Sequence, residues 1–116
     1  MIKLIPADDI DEGTSRGVEC NNKYLFAIKK DNLFHIYFNI CPHLGTPLEW
    51  QEDQFLDKGK ALIRCATHGA LFDIKSGNCL VGPCKGKSLR KIPFVVHEGV
   101  IMIDENDLRS HQFSKL

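Results

Sequence analysis

Apolar positions along this chain alternate with polar ones over short stretches, and no segment of a dozen residues carries a helical period. Alternation puts successive side chains on opposite faces of an extended chain, so it predicts strands with a buried face. The segments that carry this pattern, or are rich in β-branched and aromatic residues, are 3–5, 15–20, 24–29, 33–38, 61–64, 71–73, 90–96 and 100–103. Turn residues divide them, notably Lys30, Asp31 and Asn32, then Ser76, Gly77 and Asn78, then Glu98 and Gly99. Residues 8–11 and 105–110 can each form a turn of helix. Short strands at close spacing predict an all-β fold, a small sandwich or barrel.

Composition narrows the class without naming a function. A chain of 116 residues fits one domain, 1–116, and can bury roughly two-thirds of its unfolded surface without help from disulfides. Hydrophobic residues make up 43%, charged residues 26%, and the formal net charge is zero. That balance gives no support to nucleic acid or a membrane surface as partner. The apolar runs are far too short to span a bilayer, and Pro6, Asp8 and Asp9 interrupt any signal-like start. The chemistry sits elsewhere.

Two short loops each offer one thiol and one imidazole: Cys41-Pro42-His43 and Cys65-Ala66-Thr67-His68. Two Cys with two His is the ligand set of a two-iron two-sulfur centre in which His replaces Cys on one iron. Pro42 biases Cys41 toward extended geometry. Gly45 and Gly69 stand close behind a His, where a tight turn needs positive φ. Backbone N–H groups in such turns favour anionic sulfur. A single zinc ion accepts the same four side chains, so a zinc-binding interaction module stays open. Common finger spacing, however, groups a Cys pair and then a His pair, whereas each loop here supplies one of each.

The loops continue as Cys41-Pro42-His43-Leu44-Gly45-Thr46-Pro47-Leu48 and Cys65-Ala66-Thr67-His68-Gly69-Ala70-Leu71-Phe72-Asp73. In this the chain resembles the Rieske family, whose loops read C-x-H-x-G-x-x-L and C-x-x-H-G-x-x-F/Y-D. The resemblance extends to Gly82-Pro83, similar to the family's proline loop, and covers about 100 of the 116 residues. It implies one 2Fe-2S cluster per chain, with Cys41 and Cys65 on the inner iron and His43 and His68 on the outer one. It also implies a small β-sandwich with a cluster-binding subdomain inserted at about residues 39–86, and a partial lid from Leu44 and Gly82-Pro83. The family's high-potential branch has a bracing disulfide where Thr46 and Thr67 stand here, and Ser and Tyr donors where Ala70 and Phe72 stand. Loss of those donors implies a low potential.

The implied role is a soluble, cytoplasmic, monomeric ferredoxin that passes single electrons from a flavin-containing reductase to a terminal ring-hydroxylating oxygenase. No catalytic residue is expected, since no nucleophile, base pair or second metal site stands out. The small Rieske-like subunit of an assimilatory nitrite reductase is the alternative. An oxygenase is not expected, because a large catalytic domain has no room in 116 residues. The remaining candidates read as structural. Cys79 and Cys84 are expected as buried or half-buried thiols, Cys20 as a core residue, His35 as a strand residue, His97 as a turn residue and His111 as part of a polar tail. The acidic run Glu49-Trp50-Gln51-Glu52-Asp53 reads as a solvated connector.

Overall fold

The computed structural model describes residues 1–42, 45–49, 51–66 and 69–109. The described residues form nine strands: β1 (Ile2–Pro6), β2 (Thr14–Cys20), β3 (Lys23–Lys30), β4 (Leu33–Phe38), β5 (Leu62–Arg64), β6 (Leu71–Asp73), β7 (Cys79–Val81), β8 (Val95–His97) and β9 (Val100–Ile103). A 3-10 turn at Ala7–Asp9 and a short helix α1 (Glu105–Arg109) complete them. The fold is all-β, as the alternation predicts. Three antiparallel sheets have the orders β1-β9-β8, β2-β3-β4 and β5-β6-β7.

The hairpins share one device. Asn21-Asn22, Asp31-Asn32 and Glu98-Gly99 join their strands as two-residue turns, and all six residues have positive φ. That geometry matches the twist of the flanking strands, and Asn, Asp and Gly tolerate it best. The turn at Asp31 is pinned further. Its N–H and that of Asn32 donate to the Glu12 carboxylate at 2.7 and 2.9 Å, which holds the Glu12 pKa below its ordinary value.

The central sheet β2-β3-β4 is buried on both faces. Leu25 and Ala27 of β3, with Ile36 and Phe38 of β4, pack into one core with Ile101 and Ile103 of β9. Phe26 and Ile28, with Tyr37, point the other way and pack with Phe55, Ile63, Phe72 and both candidate cysteines. Phe26 stacks on Phe55 at 4.4 Å, and the buried Tyr37 hydroxyl donates to the Ile74 carbonyl at 2.5 Å. These contacts lash the β5-β6-β7 sheet to the central one. The uninterrupted buried run at residues 25–28 is what a two-sided strand requires.

Two expectations need correction. The predicted strand 90–96 is a strand only at Val95–His97, preceded by a single bridge between Lys91 and Tyr37. Pro93 has no N–H and cannot continue a ladder. Strand β7 was not predicted, because three residues between Asn78 and Gly82 are too few to show a period. Residues 8–11 form their turn slightly earlier, at Ala7–Asp9, and the predicted helix at 105–110 is seen as α1. Cys20 is half-buried rather than fully in the core. Burial and the nearby Glu105 raise its pKa. His97 ends β8, exposed and 3.6 Å from Glu98.

His35 is a buried strand residue, and its Nδ1 has no hydrogen-bond partner among the described residues. Burial first, then the Lys91 charge, pushes its pKa below the ordinary value, with Asp73 opposing. The fold therefore favours neutral imidazole, and the unfolded chain takes the proton more readily. This contribution to stability is fully present above about pH 6.5 and is lost as pH falls from there toward the folded value. Urea midpoints should drop between about pH 7.5 and about pH 5.5, and His35→Gln should shallow that dependence.

Candidate metal centre

Cys41 follows β4 and Cys65 follows β5, so the ends of two strands position the two candidate loops. Their backbones are built alike. The Cys41 N–H donates to the Thr46 carbonyl and the Gly45 N–H to the Cys41 carbonyl, both at 2.7 Å. In the second loop the Cys65 N–H donates to Ala70 and the Gly69 N–H to Cys65, both at 2.9 Å. Gly45 and Gly69 have φ of +74° and +68°, with open space where a Cβ would stand. The left-handed conformation, not crowding, is what favours glycine at both turns.

The loops are also tied together. Ala66 N–H donates to the Leu48 carbonyl at 2.9 Å, joining the second loop to the end of the first. The buried Asn39 side chain braces that end. Its Oδ1 accepts from Leu48 N–H and its Nδ2 donates to Glu49, both at 2.7 Å. Sequence reasoning did not single out Asn39, since a polar residue closing a strand looks like any loop entrance. It also misread the acidic run. Asp53 accepts from the Gly17 N–H at 2.7 Å and lies 3.8 Å from Arg16, so it anchors the connector to β2. Trp50 lies outside the described residues.

Cys41 and Cys65 are 2% and 0% exposed, share one apolar cluster, and belong to no disulfide. The other two candidate ligands, His43 and His68, lie outside the described residues, as do Leu44 and Thr67. Among the described residues no three His, Cys, Asp or Glu side chains gather as a metal site. The Thr46 hydroxyl is buried without a partner among those residues. A buried donor left unsatisfied in the loop that carries Cys41 suits a ligand rich in sulfur acceptors. In these respects the loops fit an iron–sulfur group.

Gly82 brings the proline loop onto the second cysteine loop. A Cβ at Gly82 would stand 2.9 Å from the Ala70 Cβ and 3.0 Å from its Cα. The expectation of thiols at Cys79 and Cys84 is corrected here. The two are joined in a disulfide across this loop, with Cα atoms 6.0 Å apart. That separation lies inside the bridging range, and it arises because β7 runs straight into the turn at Gly82-Pro83.

The family model for the Rieske [2Fe-2S] domain matches residues 1–106. The ferredoxin component of the p-cumate 2,3-dioxygenase system from Pseudomonas putida is 31% identical over 105 residues, covering 90% of this chain and 85% of that protein. Human apoptosis-inducing factor 3 is 34% identical over 70 residues, 60% of this chain, and the chain spans only 11% of its length. The fold matches that of a solved ferredoxin from Sphingomonas yanoikuyae B1 with a TM-score of 0.71 at 22% identity, covering 90% of this chain and 97% of that one. This chain belongs to the Rieske [2Fe-2S] domain family, which carries one 2Fe-2S cluster.

The contact between Gly82 and Ala70 can be isolated by comparison within the same loop. Gly82→Ala meets both positive φ and the second cysteine loop, whereas Gly86→Ala meets positive φ alone. Each should lose about 1–3 kcal/mol to backbone strain. Gly82→Ala should be the less stable of the two and should bleach faster on heating, as read by visible absorbance and thermal unfolding.

Proposed function

We propose that this chain is a one-electron carrier whose cluster is held by Cys41, His43, Cys65 and His68. The observation that carries the reading is the pair of matched cysteine loops, hydrogen-bonded alike and tied to each other, in a chain of this family. A bound 2Fe-2S group supplies a single one-electron couple. The protein's own part is to hold the thiols out of water, fix both loops with glycine turns, and cover the second loop with Gly82. The segment at about residues 39–86 is the cluster-binding subdomain in this reading, and residues 1–116 one domain.

A terminal ring-hydroxylating oxygenase is the proposed acceptor and a flavoprotein reductase the proposed donor. The similarity to the ferredoxin component of the p-cumate 2,3-dioxygenase system, along most of both chains, supports this pairing. Substrate chemistry then belongs to the acceptor. Among the described residues no helix is long and apolar enough to cross a membrane. A cytoplasmic place for the carrier is part of the proposal.

Purified protein should hold about two irons and two sulfides per chain, and its reduced form should give the low-average-g resonance of a mixed Cys/His cluster. Replacing Cys41, His43, Cys65 or His68 by Ala should remove or severely weaken the cluster, whereas Cys20→Ser should retain it. Stoichiometric zinc without sulfide, in protein made with ample iron, would sink the assignment.

The potential should lie near the lower end of the Rieske range, about −150 mV, because Ala70 and Phe72 offer no hydroxyl. Phe72 is fully buried in the same apolar cluster as both cysteines. Phe72→Tyr should raise the potential by up to roughly 60–130 mV if the new bond is made mostly in the reduced state. Voltammetry on the two proteins reads this directly.

A further inference from the structure

Charge in this chain is segregated although its formal net charge is zero. Between Asp73 and Glu98 lie Lys75, Lys85, Lys87, Arg90 and Lys91, with no Asp or Glu among them. The fold brings Lys87 and Arg90 of this strip to the first cysteine loop. Lys87, Ser88 and Arg90 form one wall of an open groove of about 420 Å³, and Ile40, Cys41, Pro42 and Gly45 form the other. Neither Lys85 nor Lys87 has an ion-pair partner among the described residues. The carboxylates of Glu49, Glu52 and Asp53 line a separate cavity with Glu19.

The backbone of the strip is also held by hydrogen bonds. Lys87 N–H donates to the Cys84 carbonyl and Cys79 N–H to the Lys87 carbonyl, both at 2.8 Å, while Leu89 N–H reaches Gly77 and Phe38 N–H reaches Arg90. The Cys79–Cys84 disulfide closes the turn just before it. Backbone pinned in this way presents its cations with little ordering cost on binding. Next to it, Leu80 and Val81 of the edge strand β7 are exposed at 46% and 53%. An apolar spot beside a charged rim is the anatomy of a protein-binding surface.

We propose that the strip at residues 85–90, beside the Cys41 loop, docks a carboxylate-bearing surface of the protein that exchanges electrons with this chain. The inference rests on the electron-carrier reading and adds which side of the site the partner meets and with what chemistry. Cations at a groove next to the redox centre speed encounter with an acidic surface and orient it, and added salt screens the effect. A nucleic acid or an anionic lipid surface carries phosphate rather than carboxylate, and each is a distinct outcome of the test.

The probe is a gold electrode coated with a carboxylate-terminated monolayer, compared with an ammonium-terminated one, using the cluster-loaded protein. Wild type should give a one-electron wave that is stronger and faster on carboxylate, and this preference should fade as ionic strength rises. The double variant Lys85→Glu with Lys87→Glu should lose about tenfold in electroactive coverage on carboxylate. It should keep its visible spectrum and its wave with a dissolved neutral mediator. Lys3→Glu with Lys23→Glu changes net charge equally on other strands and should leave the preference intact. Equal response on both films, or equal loss in the two double variants, overturns the docking proposal and leaves the carrier standing. Selective binding to DNA or to phosphatidylglycerol vesicles through the same lysines, without preference for carboxylate, overturns it in favour of those partners. Absence of any wave, with mediator as well, overturns the carrier reading itself.

Discussion

Leu25 and Ala27 leave one face of β3 and Phe26 and Ile28 leave the other, and all four are fully buried or nearly so. The sheet β2-β3-β4 therefore needs apolar cover on each side. One side receives β1 and β9, and the other receives the residues that carry the two cysteine loops. Stacking of Phe26 on Phe55 and the bond from Tyr37 to Ile74 set where that second layer sits. The cysteines are buried because they belong to this layer, not because their own loops are apolar.

Burial of the thiols has a chemical consequence. A thiolate in apolar surroundings is costly unless a metal or N–H dipoles compensate it. The Gly45 and Gly69 N–H groups are already taken up by the Cys41 and Cys65 carbonyls, while the Thr46 hydroxyl in the first loop is left without a protein partner among the described residues. An iron–sulfur group completes such a site chemically, whereas an empty one leaves polar atoms unsatisfied.

The loop after β7 links this site to the surface. Gly82 contacts the second cysteine loop, the disulfide closes the same turn, and Lys87 just after it lines a groove with the first cysteine loop. One short stretch of chain thus covers the centre on one side and displays charge beside it. The covering turn and the charged strip are joined by backbone hydrogen bonds, Cys79 N–H to Lys87 and Lys87 N–H to Cys84.

The sequence by itself determined the strands with a clear period, the hairpin turns at Asp31-Asn32 and Glu98-Gly99 and both cysteine loops, including positive φ at Gly45 and Gly69. Those features are local, since alternation, turn chemistry and ligand spacing act within a few residues. Tertiary structure alone decided the rest. Pro93 bars a ladder by its own chemistry, but only the fold shows that β8 begins at Val95, where β9 pairs with it. Strand β7 exists because β6 offers it an edge. Cys79 and Cys84 are bonded because one turn brings their Cα atoms within 6.0 Å. Asn39 braces a loop, and Asp53 reaches an N–H on another strand. Each depends on what the chain meets after it folds, and no spacing along the sequence encodes that meeting.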